Sequence, residues 1–186
     1  MVRRTSLYNE RHNERHKRVR ILFVLGVAVL TFGILSPVFS QQGEVEESGI
    51  TLTWEIEEDY LMVTVKAPTE GWVAVGFKPE RAMQGANIII GYVERDGTVV
   101  VEDHYGTRPI AHQPDVSMGG TRDVERIEGS ETGGYTELSF AVPMQPEDDY
   151  DATLTPGETL TVILAYGGRD NFRMKHPVRT AVEITL

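Results

Sequence analysis

The chain has 186 residues, no cysteine and a formal net charge of −10. Without thiols it makes no disulfide, no thiolate metal site, no thioether-attached c-type haem and no lipidated cysteine anchor. So acidic a chain is not drawn to nucleic acid or to an anionic membrane surface; it suits a basic partner or simple solubility.

In chain order, residues 1–20 carry seven basic side chains against two acidic ones, and residues 21–35 are uncharged and apolar. Residues 36–40 (SPVFS) then place a proline and small residues before Gln41. A basic n-region, a short apolar h-region and a small-x-small end describe a secretory signal peptide. The apolar run is shorter than the roughly 20 residues that span a bilayer, which favours cleavage. The long n-region keeps an uncleaved N-terminal membrane anchor, residues 21–39, as the alternative. Either way the remainder is expected to be exported, periplasmic or extracellular.

Beyond residue 40 there are 11 basic and 26 acidic side chains, a net charge near −15. Residues 41–49 (QQGEVEESG) are polar and acidic and read as a linker. From Ile50 the pattern is β. Residues 50–56 and 60–67 alternate apolar and polar side chains around Glu57, Glu58 and Asp59, the pattern of a hairpin. Residues 71–77 (GWVAVGF) form a strand with small residues interleaved. Residues 87–94 form a nearly continuous apolar run, expected of a strand buried on both faces. Asp96-Gly97 is a hairpin turn leading into a strand over 98–105. Residues 109–118 read as loop, 121–127 and 136–142 as strands around a glycine-rich 129–134, and 146–156 as an acidic connector. Strands over 160–166 and 180–186 complete about nine, with no convincing helix. The expectation is one all-β domain over residues 50–186, an antiparallel sandwich or barrel.

Little in this domain suggests hydrolysis. It has three histidines, His104, His112 and His176, and no HExxH, GxSxG or glycine-rich phosphate loop before a helix. The acidic triplets at 57–59 and 147–149 fall in turns, where carboxylates are ordinarily solvated. His104 and His112, separated by a proline-containing loop, permit a zinc site with a carboxylate without suggesting one.

Several linked motifs carry a resemblance: Trp54, residues 71–77, Met83-x-Gly85 followed by residues 86–91 (ANIIIG), Asp96-Gly97-Thr98, Pro114-Asp115, residues 138–140 (LSF) and residues 163–166 (ILAY). Their order resembles DOMON domains across nearly the whole region from Ile50. The resemblance implies an immunoglobulin-like β-sandwich that binds haem b or sugars, similar to DOMON cytochromes such as the cytochrome domain of cellobiose dehydrogenase. In those cytochromes a Met before the strand resembling residues 87–94 and a His before the last strand are the axial ligands. Met83 and His176 stand in the matching places. Met/His ligation leaves haem iron without an open position and suits single-electron transfer. The same resemblance makes Lys175 a substitute for His176, since a lysine partners the methionine in a related haem subunit.

Each residue also has a plainer reading. A methionine after a strand is ordinarily core filler, and a lone histidine in a basic loop is ordinarily a surface residue. Arg169, Arg173, Lys175 and Arg179 are either a solvated loop or partners for haem propionates. Trp72, Tyr92 and Tyr166 are either sandwich core or the lining of a haem slot. The expectation is thus a haem-b electron-transfer protein serving an unidentified redox partner, not an enzyme. The competing reading is a haem-free module for a carbohydrate or another small ligand.

Overall fold

The computed structural model describes residues 41–186. The signal or anchor expected over residues 1–40 lies outside the described residues. Among the described residues no helix is long and apolar enough to cross a membrane. Eleven strands follow one another: β1 (Gln42–Glu47), β2 (Ile50–Glu57), β3 (Tyr60–Ala67), β4 (Val73–Phe77), β5 (Asn87–Val93), β6 (Val99–Arg108), β7 (Ala111–Pro114), β8 (Glu125–Thr132), β9 (Tyr135–Pro143), β10 (Thr159–Tyr166) and β11 (Val178–Thr185). Among the described residues the helical content is a single 3-10 turn, Asp115–Met118. One sheet has the order β1-β2-β3-β9-β8 and the other β11-β10-β4-β5-β6-β7. Every strand pair is antiparallel.

Period-2 alternation builds the core between the sheets. Leu52, Trp54, Leu61, Val63, Val65, Leu138 and Phe140 from the five-stranded sheet meet Val73, Val75, Phe77, Ile89, Val162 and Leu164 from the six-stranded one. With no disulfide available, burial at about 1.5–3 kcal/mol for each large apolar side chain is the main source of stability. The antiparallel β-sandwich expected from the sequence is the fold observed.

The differences lie at edges and loops. Residues 42–47, read as part of a linker, form β1 and pair with β2 along its length. Val45 is the one apolar side chain of β1 packed against the core, so the strand has almost no hydrophobic signal of its own. Its partner supplies the hydrogen bonds, and Gly43 gives room for the Trp54 indole, which a Cβ there would strike. Ser48 (φ 56°) and Gly49 (φ 78°) make the tight turn into β2. The loop expected over 109–118 contains β7 and the 3-10 turn. The strand expected over 121–127 starts only at Glu125, because carboxylates capture the backbone before it: Thr121 N–H donates to Asp148 and Asp123 N–H to Asp103. That strand runs on to Thr132 and turns at Gly133 and Gly134, both with positive φ.

The six-stranded sheet is apolar on both faces at its centre. In β4, β5 and β10 the side chains not facing the sandwich core are Ala74, Ile88, Ile90, Tyr92, Ile163 and Ala165. They form a second cluster with Trp72, Met83, Ala86 and Phe172. The unbroken apolar run in β5 is therefore buried twice, as its sequence required.

Candidate functional site

The second cluster lies on the outer face of the six-stranded sheet, under two loops, each carrying one of the predicted ligands. The first loop joins β4 to β5. Ala82 (φ 53°) and Gly85 (φ 78°) adopt left-handed conformations on either side of Met83 and fold the chain tightly about it. Ala86 N–H donates to the Met83 carbonyl at 3.1 Å, and Gly85 N–H donates to the Gly106 carbonyl in β6 at 2.8 Å. Gly106 is required here, because a Cβ at that position would collide with the Met83 carbonyl. The result is a half-buried thioether, held by rigid backbone, beside Trp72, Ala86 and Ile88.

The second loop joins β10 to β11. It leaves the sheet at Gly167, whose N–H donates to the Trp72 carbonyl at 2.8 Å and whose carbonyl accepts from the Thr69 hydroxyl at 2.7 Å. Both Gly71 and Gly167 permit this close approach; a Cβ on Gly167 would strike the Trp72 indole. Asn171 then turns the chain, accepting from Arg173 N–H through its side chain and from Met174 N–H through its carbonyl. His176 comes to rest half-buried, its ring edge-on to Trp72 at 6.2 Å between centroids. Burial, with the nearby Arg179 charge, lowers its pKa from the ordinary histidine value. At neutral pH it is therefore a neutral imidazole with a lone pair to offer.

Met83 and His176 thus border one apolar cluster through Trp72, and Tyr92 belongs to the same cluster, stacked at 5.1 Å on Phe172. Burial, reinforced by Glu94, Asp170 and Glu102, raises the Tyr92 pKa, so its phenol stays protonated. The Trp72 indole N–H is buried and, among the described residues, donates to no acceptor. Arg173 is exposed and lines the adjoining cleft; Lys175 is exposed on the same loop. Arg169 is exposed as well, and the exposed Met174 does not enter the cluster. Tyr166 packs instead against the sandwich core.

The arrangement also brings in two histidines that the sequence left without a role. Glu102 and His104 share one face of β6 by their i, i+2 spacing. His104 Nε2 donates to Glu102 at 2.6 Å, and its Nδ1 shares a hydrogen bond of 2.7 Å with His112 Nδ1. The His104 ring lies 6.2 Å from Phe172. These residues, with Tyr92, Asp170 and Arg173, line an open cleft of about 730 Å³. Burial, then the charges of His104 and His176, push the His112 pKa down to about 4. The i, i+2 pair in β6 was the available signal. What it lacked was β7, whose pairing with β6 delivers His112.

Together these features offer a thioether, an imidazole held neutral and a buried N–H with no acceptor, around one apolar face. That donor set fits haem iron, which methionine and histidine hold in electron-transfer proteins. The orphaned Trp72 donor is what an uncompensated slot looks like, since buried polar groups are ordinarily paired.

Comparison with known proteins follows the same line. The family model "DOMON domain" matches residues 46–167. A curated relative, MOXD1 homolog 2 of Drosophila melanogaster, is 26% identical over 120 residues, which is 64% of this chain. The matched region spans 15% of that relative's own length. Among solved structures, the cytochrome domain of Myriococcum thermophilum cellobiose dehydrogenase superposes with a TM-score of 0.57 at 11% identity. The match covers 79% of this chain and 82% of that one, and at that identity it speaks for the fold.

Proposed function

We propose a function from one premise: the chain belongs to the DOMON domain family. Within that family it is an exported b-type cytochrome-like module that binds haem non-covalently and relays single electrons. The observation that carries the reading is the outer-face cluster: the Met83 and His176 loops close over one apolar surface beside an unpartnered buried Trp72 N–H. Met83 and His176 would hold the iron. Bound in that way, haem supplies a reversible one-electron couple with no open position for oxygen or substrate, and the thioether favours a higher potential.

The chain's own residues do the rest. Ile88, Ile90, Ile163 and Phe172 give the site an apolar surface that would keep water from the bound group. Gly106 and the two left-handed residues around Met83 hold the thioether in place, and Gly167 and Asn171 do the same for the imidazole. Arg173, exposed at the rim of the cleft, is available to pair with propionates, as guanidinium matches carboxylate geometry. Lys175 is solvent-exposed while His176 is half-buried against Trp72, which favours the imidazole as ligand. The redox partner is unidentified; a domain with 26 acidic side chains suits one with a basic surface.

The polar cleft beside the cluster supports a second reading, a haem-free module for a sugar or another polar small ligand. Glu102, His104, His112, Asp170 and Arg173 offer hydrogen bonds in both directions around an open volume. Absorbance spectra of the protein supplied with haem, oxidised and dithionite-reduced, separate the two. A sharp Soret shift with resolved α and β bands on reduction is expected of the six-coordinate haem. Protein that stays colourless through a haem titration would sink the cytochrome and leave the cleft to be screened against carbohydrates.

A further inference from the structure

On the other face of β6 from His104, Asp103 points to the interior. It is 4% exposed, and Asp115, at the start of the 3-10 turn, is 1% exposed. Asp103, Asp115 and Asp151 each present a carboxylate oxygen, all within 4.8 Å of one another. Asp123 and Asp148 form a second such group that shares Asp151. Among the described residues none of the ion pairs reaches any of the five. Acidic side chains at a turn are ordinarily solvated, but Asp115 is buried, as is Asp103 in its strand, and the other three are partly covered.

A second pattern is independent of the clustering. Asp103 Oδ1, Asp115 Oδ2, Asp123 Oδ2, Asp151 Oδ2 and Asn87 Oδ1 are all buried with no hydrogen-bond partner. In each of these side chains the other polar atom is fixed. Asp103 Oδ2 accepts from Asp123 N–H at 3.3 Å, Asp115 Oδ1 from Val116 N–H at 2.6 Å, and Asp123 Oδ1 from the Thr121 hydroxyl at 3.0 Å. Asn87 Nδ2 donates to Asp151 Oδ1. One oxygen held by a donor and its twin left bare is how outer partners orient a carboxylate toward a cation. Asn87 is 5% exposed, so its bare amide oxygen, like the bare oxygens of Asp103 and Asp115, lies out of bulk solvent. Gly120 has no Cβ to intrude: one there would meet the Tyr150 ring at 2.8 Å and Asp148 Oδ2 at 3.0 Å.

We propose that Asp103, Asp115 and Asp151, assisted by Asp123, Asp148 and the Asn87 amide oxygen, form a calcium-binding site that staples the β7–β8 and β9–β10 connections to β6 and the start of β5. An all-oxygen set of carboxylates and an amide selects a hard cation over zinc or copper. Calcium takes six to eight oxygens at about 2.3–2.6 Å in flexible geometry, so ligands on opposite sides lie about 4.6–5.2 Å apart. The oxygens of Asp103, Asp115 and Asp151 lie within 4.8 Å of one another, close enough for one such ion to reach all three. Magnesium demands near-ideal octahedral geometry at about 2.0–2.1 Å and gives up its waters reluctantly, so an all-protein cage suits it less. The charge balance agrees. Without a cation, burial and then the neighbouring carboxylates push Asp103 up to about 7 and Asp151 up to about 8. A divalent ion removes that repulsion and lets both ionise. The site is on the opposite face of the sheet from the haem candidate and does not rest on it.

The test uses the full chain, stripped with EDTA and then exposed to calcium chloride or magnesium chloride. Isothermal titration is expected to count one calcium per chain, and saturation to raise Tm by roughly 5–10 °C, with magnesium far weaker. The double variant Asp103→Asn, Asp151→Asn is expected to fold without metal, at a Tm equal to or above that of the stripped parent, and to lose the calcium shift. Two results overturn the proposal: no calcium retained and no shift at 5 mM (about a hundredfold over a 50 μM Kd) in folded parent protein, or an undiminished shift in the double variant.

Discussion

Strand β6 has two faces, and the molecule uses them for opposite kinds of chemistry. Outward, Glu102 and His104 stand beside an apolar surface carrying a thioether and a neutral imidazole. Inward, Asp103 faces four more carboxylates and a bare amide oxygen. His104 and Asp103 are sequence neighbours, yet period-2 alternation separates their environments by the thickness of the sheet. The outer region gains by excluding water from soft ligands. The inner region cannot be comfortable without a partner, because like charges held out of water repel strongly. Both regions leave polar atoms unpaired, but one orphan is a donor (Trp72 Nε1) and the others are acceptors. The sign of the missing partner therefore differs: an acceptor or a ring substituent outside, a cation inside.

The outer region depends on one close backbone contact, and breaking it should give the largest effect. Gly106→Val forces a side chain into the Met83 carbonyl. The expected loss is on the order of 3 kcal/mol, read as a lowered denaturation midpoint, and haem binding should fall with it. A variant as stable as the parent would show that the Met83 loop is not pinned to β6.

His176→Ala acts on the outer region alone. It is expected to weaken haem binding at least tenfold and to broaden the reduced α band. Thermal stability of the haem-free protein should change little, since His176 is only half-buried. Met83→Leu, close in volume, should keep the fold and shift the potential or spin state. Identical spectra and potential for that variant would remove Met83 from the site.

The inner region answers to pH instead. Asp103 and Asp151, with pKa values pushed up to about 7 and 8, hold protons in the folded state that the unfolded chain, titrating near 3.9, has released. Folded protein then binds more protons, so metal-free stability rises as pH falls from about 9 to 6.5. Below that, His112 opposes the trend: its pKa, lowered to about 4, means the unfolded chain takes up a proton first and stability is lost as pH falls from 6.5. Melting curves in EDTA across pH 6.5–9 should show this slope, and calcium should flatten it by favouring the ionised carboxylates. A flat EDTA profile would contradict the buried-carboxylate picture.

The smallest expected effect is the most local. Trp72→Phe removes the unpaired N–H while keeping an aromatic ring in the cluster. Lost packing and the relieved orphan donor oppose each other, so stability should change by less than about 1 kcal/mol. A much larger loss, measured by chemical denaturation, would mean that Trp72 matters for its packing far more than for its indole N–H.

Much of this was readable from the chain. Alternation in residues 50–67 and the unbroken run at 87–94 required strands, one of them buried twice, and the motif order around residues 71–91 placed the chain among DOMON domains. The sequence also offered Met83 and His176 as a candidate pair, and the structure brings Met83 into the cluster of Trp72 and sets His176 edge-on to that ring. β1 was not, because an edge strand whose one core-packed side chain is Val45 looks like any acidic linker until β2 is beside it. His112 reaches His104 only through a short strand that begins two residues after a proline. The carboxylate knot was hidden for a related reason. Asp103, Asp115, Asp123, Asp148 and Asp151 are spread over strand β6 and two connections, and none of them alone signals a shared site.

What the sequence determined by itself were the properties set by local order: strand periodicity, the absence of thiol chemistry, the acidic balance and the donor type of each side chain. The tertiary structure decided which of those side chains share a space. Convergence depends on strand pairing and loop closure between residues far apart in the chain, and the energy of that pairing lies in contacts that no single segment contains.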